Sequence, residues 1–115
     1  MGELRIRKIQ EFIKQEVSRI ILHELKDPGL GFVTVTDARI TGDLREATVY
    51  VSLFGSDEEK ANTLTALKKA GGYIRSEVGK HLGIRYSPQI AFKEDSSLDY
   101  GMKIDKMLQD IEKKD

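Results

Sequence analysis

Lys68, Lys69, Arg75, Lys80 and Arg85 surround the tripeptide Ala70-Gly71-Gly72, with Glu77 as the one acid among them, so residues 68–85 carry five positive charges against one negative. Glycine lacks a Cβ, which lets a backbone come close to another surface. The first amides of a helix have no internal partner, and its dipole favours anions. Cations beside such amides suit a phosphate group, and phosphate-rich nucleic acid is the polymer that would use them together. The plainer alternative is that the lysines form the solvated face of a helix and the glycines mark a helix end packed on a neighbour.

Other chemistries find little support. His23 and His81 lie on different expected helices without His-x-x-x-His spacing, and the chain has no cysteine, so no metal site is expected. A nucleophile elbow is missing, and Gly71-Gly72 satisfies neither the dinucleotide nor the Walker pattern, so neither catalysis nor a nucleotide cofactor is expected. The acids from Glu94 to Asp99 do not have EF-hand spacing and stand where a helix start welcomes them. Arg5, Arg7 and Lys8, with Lys14 and Arg19, form a second basic set on the first helix; solvation is its ordinary role and an RNA edge the alternative.

Those residues need a scaffold, and 115 residues with 39% hydrophobic content are enough for a single core. Nineteen basic and nineteen acidic residues cancel, so a polyanion site has to be local. With neither a secretory signal nor an apolar run of spanning length, a soluble, cytoplasmic protein is expected, with no membrane partner.

Residues 3–26 read as an amphipathic helix, with Ile6, Ile9, Ile13, Val17 and Ile20 at helical spacing and Asp27-Pro28-Gly29 as its stop. Residues 32–41 and 45–54 read as a β-hairpin around Thr41-Gly42-Asp43. Ala47, Val49, Val51 and Leu53 face the helices, and a bulge near Asp37 reconciles the two parities of the first strand. Ser56 and Glu59 form a capping box that starts a second helix. Leu64, Leu67, Gly71, Ile74, Val78 and Leu82 keep one phase across the glycines. The segment is therefore a kinked helix, bent where two glycines weaken it by roughly 2 kcal/mol, and capped by Gly83. Residues 89–93 make a third strand and residues 97–111 a final helix, with 112–115 as a frayed tail. The whole forms an α+β domain of helices on a three-stranded sheet, spanning residues 1–111.

This order resembles the type II KH domain, an RNA-binding fold that clamps a sugar-phosphate backbone at a G-x-x-G loop. Here Ala70-Gly71-Gly72, an Ala-x-Gly kink, replaces that loop, and the replacement resembles the bacterial ribosome-binding factor A family. Asp27-Pro28, Phe32-Val33-Thr34-Val35-Thr36, the run from Asp43 to Val51, the run from Tyr73 to Lys80, Pro88-Gln89-Ile90-Ala91-Phe92 and Asp95-Ser96-Ser97 agree with it in order and spacing over nearly the whole chain. The sequence departs from the family at Gly29, where members commonly have arginine, and ends at Asp115, where some members continue in a tail.

The resemblance implies a non-enzymatic, monomeric assembly factor. It would bind the free small ribosomal subunit through its RNA, and through ribosomal proteins as further partners, would support late processing of the small-subunit RNA, and would matter most in the cold. Lys68, Lys69, Ala70, Gly71, Gly72, Arg75, Lys80 and Arg85 are the expected RNA-binding residues. Two alternatives stand beside it. One is an adaptor that uses the first helix or the face bearing Tyr50 and Phe54. The other is a generic single-strand-binding KH module, disfavoured by the lost loop and by having only eight aromatics (four Tyr and four Phe), most at expected core positions.

Overall fold

The computed structural model describes residues 2–83 and 86–95. It contains α1 (Glu3–His23), β1 (Val33–Ile40), β2 (Glu46–Leu53), α2 (Asp57–Lys69), α3 (Gly71–Leu82) and β3 (Gln89–Glu94). The expected helix over 97–111, the tail and Arg85 lie outside the described residues.

α1 buries Ile9, Ile13, Val17, Ile20 and Ile21, the stripe expected from its spacing. It stops at His23, three residues short of the expected end, because the Leu25 amide turns back to the Ile20 carbonyl (3.1 Å) and draws Leu25 against the core. In the following loop the Asp27 carboxylate accepts the Gly29 amide (2.8 Å). The Gly31 amide donates to buried Thr63 Oγ1 (3.0 Å), which donates in turn to the Glu59 carbonyl, tying the loop to α2.

The sheet order is β1-β2-β3, with β2 antiparallel to β1 and parallel to β3. The expected bulge is present: Val35 pairs with Val51, but Asp37 pairs with Tyr50, leaving Thr36 as the extra residue. Val35, Ala38 and Ile40 thereby all reach the buried face, beside Ala47, Val49, Val51 and Leu53 of β2. Thr36 Oγ1 donates to the Asp95 carboxylate, fastening the end of β3 across β2 to β1. Ser52, on the opposite parity, is buried as well, which alternation alone did not indicate.

The Ser56–Glu59 capping box starts α2: Glu59 N–H donates to Ser56 Oγ (3.1 Å), and Ser56 N–H donates to Glu59 Oε1 (3.2 Å). Leu67, Ile74 and Val78 are fully buried in one stripe through α2 and α3, so the conserved phase holds across the interruption. Burial of each is worth about 1.5–3 kcal/mol, enough to hold two short helices that neither propensity nor length would stabilise alone. Gly83 takes the left-handed conformation (φ 70°) that ends α3.

Candidate nucleic-acid interface

The interruption falls at Ala70 and not at the glycines, which corrects the expected position of the bend. With φ −81° and ψ −2°, Ala70 is at once the last cap of α2 and the first of α3. Its amide donates back to the Ala66 carbonyl (3.1 Å), and its carbonyl accepts the Ile74 amide (2.9 Å). Gly71 and Gly72 lie in the first helical turn of α3. Alanine has no side-chain acceptor, so the usual Ser, Thr, Asp or Asn cap is missing.

A Cβ built on Gly71 or Gly72 would meet nothing within 4 Å among the described residues, so the flank of this turn is open to them. Lys68 and Lys69 are exposed in the last turn of α2, beside that opening. The structure therefore brings together Lys68, Lys69, Ala70, Gly71 and Gly72.

The other expected cations behave differently. Arg75 is half-buried, and its guanidinium donates from Nε (3.4 Å) and Nη2 (3.3 Å) to the Ser87 carbonyl. Ser87 Oγ donates to the Arg75 carbonyl (2.7 Å), so the two residues clasp α3 to the segment entering β3. Arg75 is thus a fixed structural cation as well as a basic one, which its sequence position did not show. Lys80 is exposed and ion-paired to Glu77 (3.2 Å). On α1, Arg7 pairs with Glu3 (3.2 Å) and shares a shallow depression with Arg39, while Arg5 and Lys8 are exposed.

His81 donates from Nδ1 to the Glu77 carbonyl (3.0 Å), as a residue serving a helix end would, and lies 3.7 Å from Glu16. Hydrogen bonding from Arg19, which outweighs partial burial, holds Glu16 below the ordinary carboxylate range. Arg19 also lies 3.5 Å from Glu24, whose buried Oε2 accepts no hydrogen bond from the described residues and is balanced by this ion pair. Tyr73, on the first turn of α3, is pushed above its usual pKa, first by desolvation and then by the Glu24 carboxylate. Among the described residues no cluster of His, Cys, Asp or Glu could hold a metal ion, and no helix is long and apolar enough to cross a membrane.

The expectation that most aromatics are core residues fails for four of the seven described. Phe32, Phe54, Tyr73 and Tyr86 are all exposed, Tyr86 by 72%. Tyr86 shares a cavity with Arg45, a pairing that local pattern could not reveal because it depends on β3 running beside β2.

The αββααβ order, the mixed three-stranded sheet and the helix pair joined at a one-residue break define a KH-like domain in which Ala70-Gly71-Gly72 stands at the helix junction. The ribosome-binding factor A family model matches residues 5–108, and the chain belongs to that family. It is 48% identical over 111 residues to ribosome-binding factor A of Brevibacillus brevis, covering 96% of this chain and 92% of the relative. It also resembles the crystal structure of ribosome-binding factor A from Thermus thermophilus (TM-score 0.68, 25% identity, 77% of this chain and 93% of the other). A Thermus thermophilus homology model fitted into the cryo-EM map of a 30S complex gives a TM-score of 0.61 at 26% identity, covering 74% of this chain and 89% of the other.

Proposed function

We propose that this protein binds the small ribosomal subunit and supports late maturation of its RNA, with the α2–α3 junction as the RNA-facing surface. The observation that carries this reading is the open flank at Gly71 and Gly72, where a first helical turn without a side-chain cap stands beside exposed Lys68 and Lys69. Family membership and the fitted 30S complex of the Thermus relative support the choice of partner. Amides and lysines would engage phosphates without reading bases, which suits a folded RNA recognised by shape. Arg75 and Lys80 continue the basic residues along α3, and Arg85, expected in the same set, lies outside the described residues. The reading is of a monomeric cytoplasmic binding factor in which no residue performs catalysis.

Co-sedimentation with isolated 30S subunits and with complete ribosomes tests the reading. The wild-type chain should pellet with the former and not the latter, and Lys68→Glu/Lys69→Glu should abolish pelleting with its melting curve intact. For three or four phosphate contacts, the logarithmic salt slope on single-stranded RNA should be about −2 to −3. Unchanged binding by the charge-reversed variant would reject the junction as the RNA surface.

A second reading has one observation in its favour. Leu22 and Phe32, 76% and 85% exposed, border an apolar groove of about 640 Å³ between α1 and β1, which suits a protein partner. Binding through that groove would keep its affinity from low to physiological salt, whereas phosphate contacts would lose it steeply.

A further inference from the structure

The cavity between the β1–β2 turn and the segment entering β3 holds a combination the junction lacks. It is about 580 Å³ and is lined by Asp43, Leu44, Arg45, Arg75, Tyr86, Ser87 and Gln89, within the range of small-ligand sites. Two arginines and a tyrosine therefore share one opening. Arg75 spends two of its N–H donors on the Ser87 carbonyl, so its position is fixed before any ligand arrives. The Arg45 side chain is 84% exposed, but its backbone is pinned: its amide donates to Asp43 Oδ1 (3.1 Å), and its carbonyl accepts the Gln89 amide (2.8 Å).

The turn that presents Arg45 is built for rigidity. Leu44 holds φ at 62°, a conformation that costs a non-glycine residue energy, and its amide donates to the Thr41 carbonyl (2.9 Å). The Asp43 carboxylate accepts from Thr41 Oγ1 (2.6 Å) and from the Arg45 amide, bonds that keep it ionised. It lies 3.9 Å from the Arg45 guanidinium and offsets part of its charge. That leaves Arg75 and the Tyr86 ring as the larger attractions, with Arg45 at the rim.

We propose that this cavity is a nucleotide subsite for single-stranded RNA, in which a base stacks on Tyr86 while Arg75 and Arg45 hold the adjoining phosphates. Arginine forks match phosphate oxygens in pairs, and an exposed aromatic ring accepts any base face. Arg75 follows Gly72 by three residues, on the same face of α3, so a strand crossing the open junction would continue into the cavity. The subsite rests on the reading of the protein as an RNA binder but, Arg75 apart, uses different residues.

The test is fluorescence anisotropy of a labelled hexa-adenylate, at low salt and through a salt titration, run beside the 30S pelleting assay. Tyr86→Ala should weaken oligomer binding about tenfold and Tyr86→Phe should preserve it, given the typical worth of base stacking. Arg45→Ala should reduce the logarithmic salt slope by about 0.7. Tyr86→Ala within twofold of wild type overturns the subsite, as does a wild-type chain that ignores the oligomer. The same dependence on Tyr86 for hexa-glutamate overturns it in favour of an acidic peptide site. If Lys68→Glu/Lys69→Glu loses the subunit while Tyr86→Ala retains the oligomer, the subsite falls and the junction stands. The opposite pair of results removes the junction and keeps the subsite.

Discussion

α3 contains glycine for two opposite reasons. At its start, a Cβ on Gly71 or Gly72 would touch nothing within 4 Å among the described residues. Near its end, Gly79 lies against Ser87, whose Cβ would be 2.8 Å from an added Cβ, closer than such atoms approach. The first pair costs the helix stability without any packing return, whereas the second glycine is what lets α3 meet the segment entering β3. Where the fold does not require a glycine, a function is the remaining reason to look for one.

The contrast can be broken most directly at Gly79. Gly79→Val should destabilise the domain by about 2–3 kcal/mol, since the branched side chain forces α3 away from Ser87 and the gain in helix propensity is small. Chemical denaturation would measure it, and a neutral result would mean the close approach is not needed. The clasp beside it should be weaker. Arg75→Ala should cost about 1–2 kcal/mol through the two donors to the Ser87 carbonyl, and a double-mutant cycle with Ser87→Ala should show the two residues coupled. Additive losses would show that the clasp is not one unit.

The change in stability at the junction is expected to have the opposite sign and to be the most informative. Gly71→Ala/Gly72→Ala should stabilise the fold, by up to about 1 kcal/mol per site, because nothing there resists a methyl group. Binding to 30S subunits should weaken all the same, since the methyls would stand between the first-turn amides and a phosphate. A variant that gained stability and kept full subunit affinity would make these glycines functionally idle.

Much of the fold was legible because it is written in short-range pattern. Spacing located the α1 stripe, the stripe through Leu67, Ile74 and Val78, the capping box at Ser56 and the bulge beside Asp37. Two local readings shifted on contact with the structure. α1 ends at His23 because the Leu25 amide doubles back to Ile20, and the helix break sits at Ala70 because the glycines can still join the next helix as its first turn. The parent of the candidate site, a run of cations beside two glycines, was also visible. Which of those cations is committed elsewhere was not: Lys80 meets Glu77 and Arg75 meets Ser87 only once side chains are placed.

The sequence by itself determined the elements, their order and the buried stripe, since helical and strand periods are fixed by backbone geometry and need only neighbouring residues to show them. Tertiary structure alone decided that Tyr86 and Arg45 line one cavity, that Gly79 is packed while Gly72 is open, and that four of the seven described aromatics face solvent. Those outcomes depend on β3 lying parallel beside β2, a pairing between distant residues that no local period records.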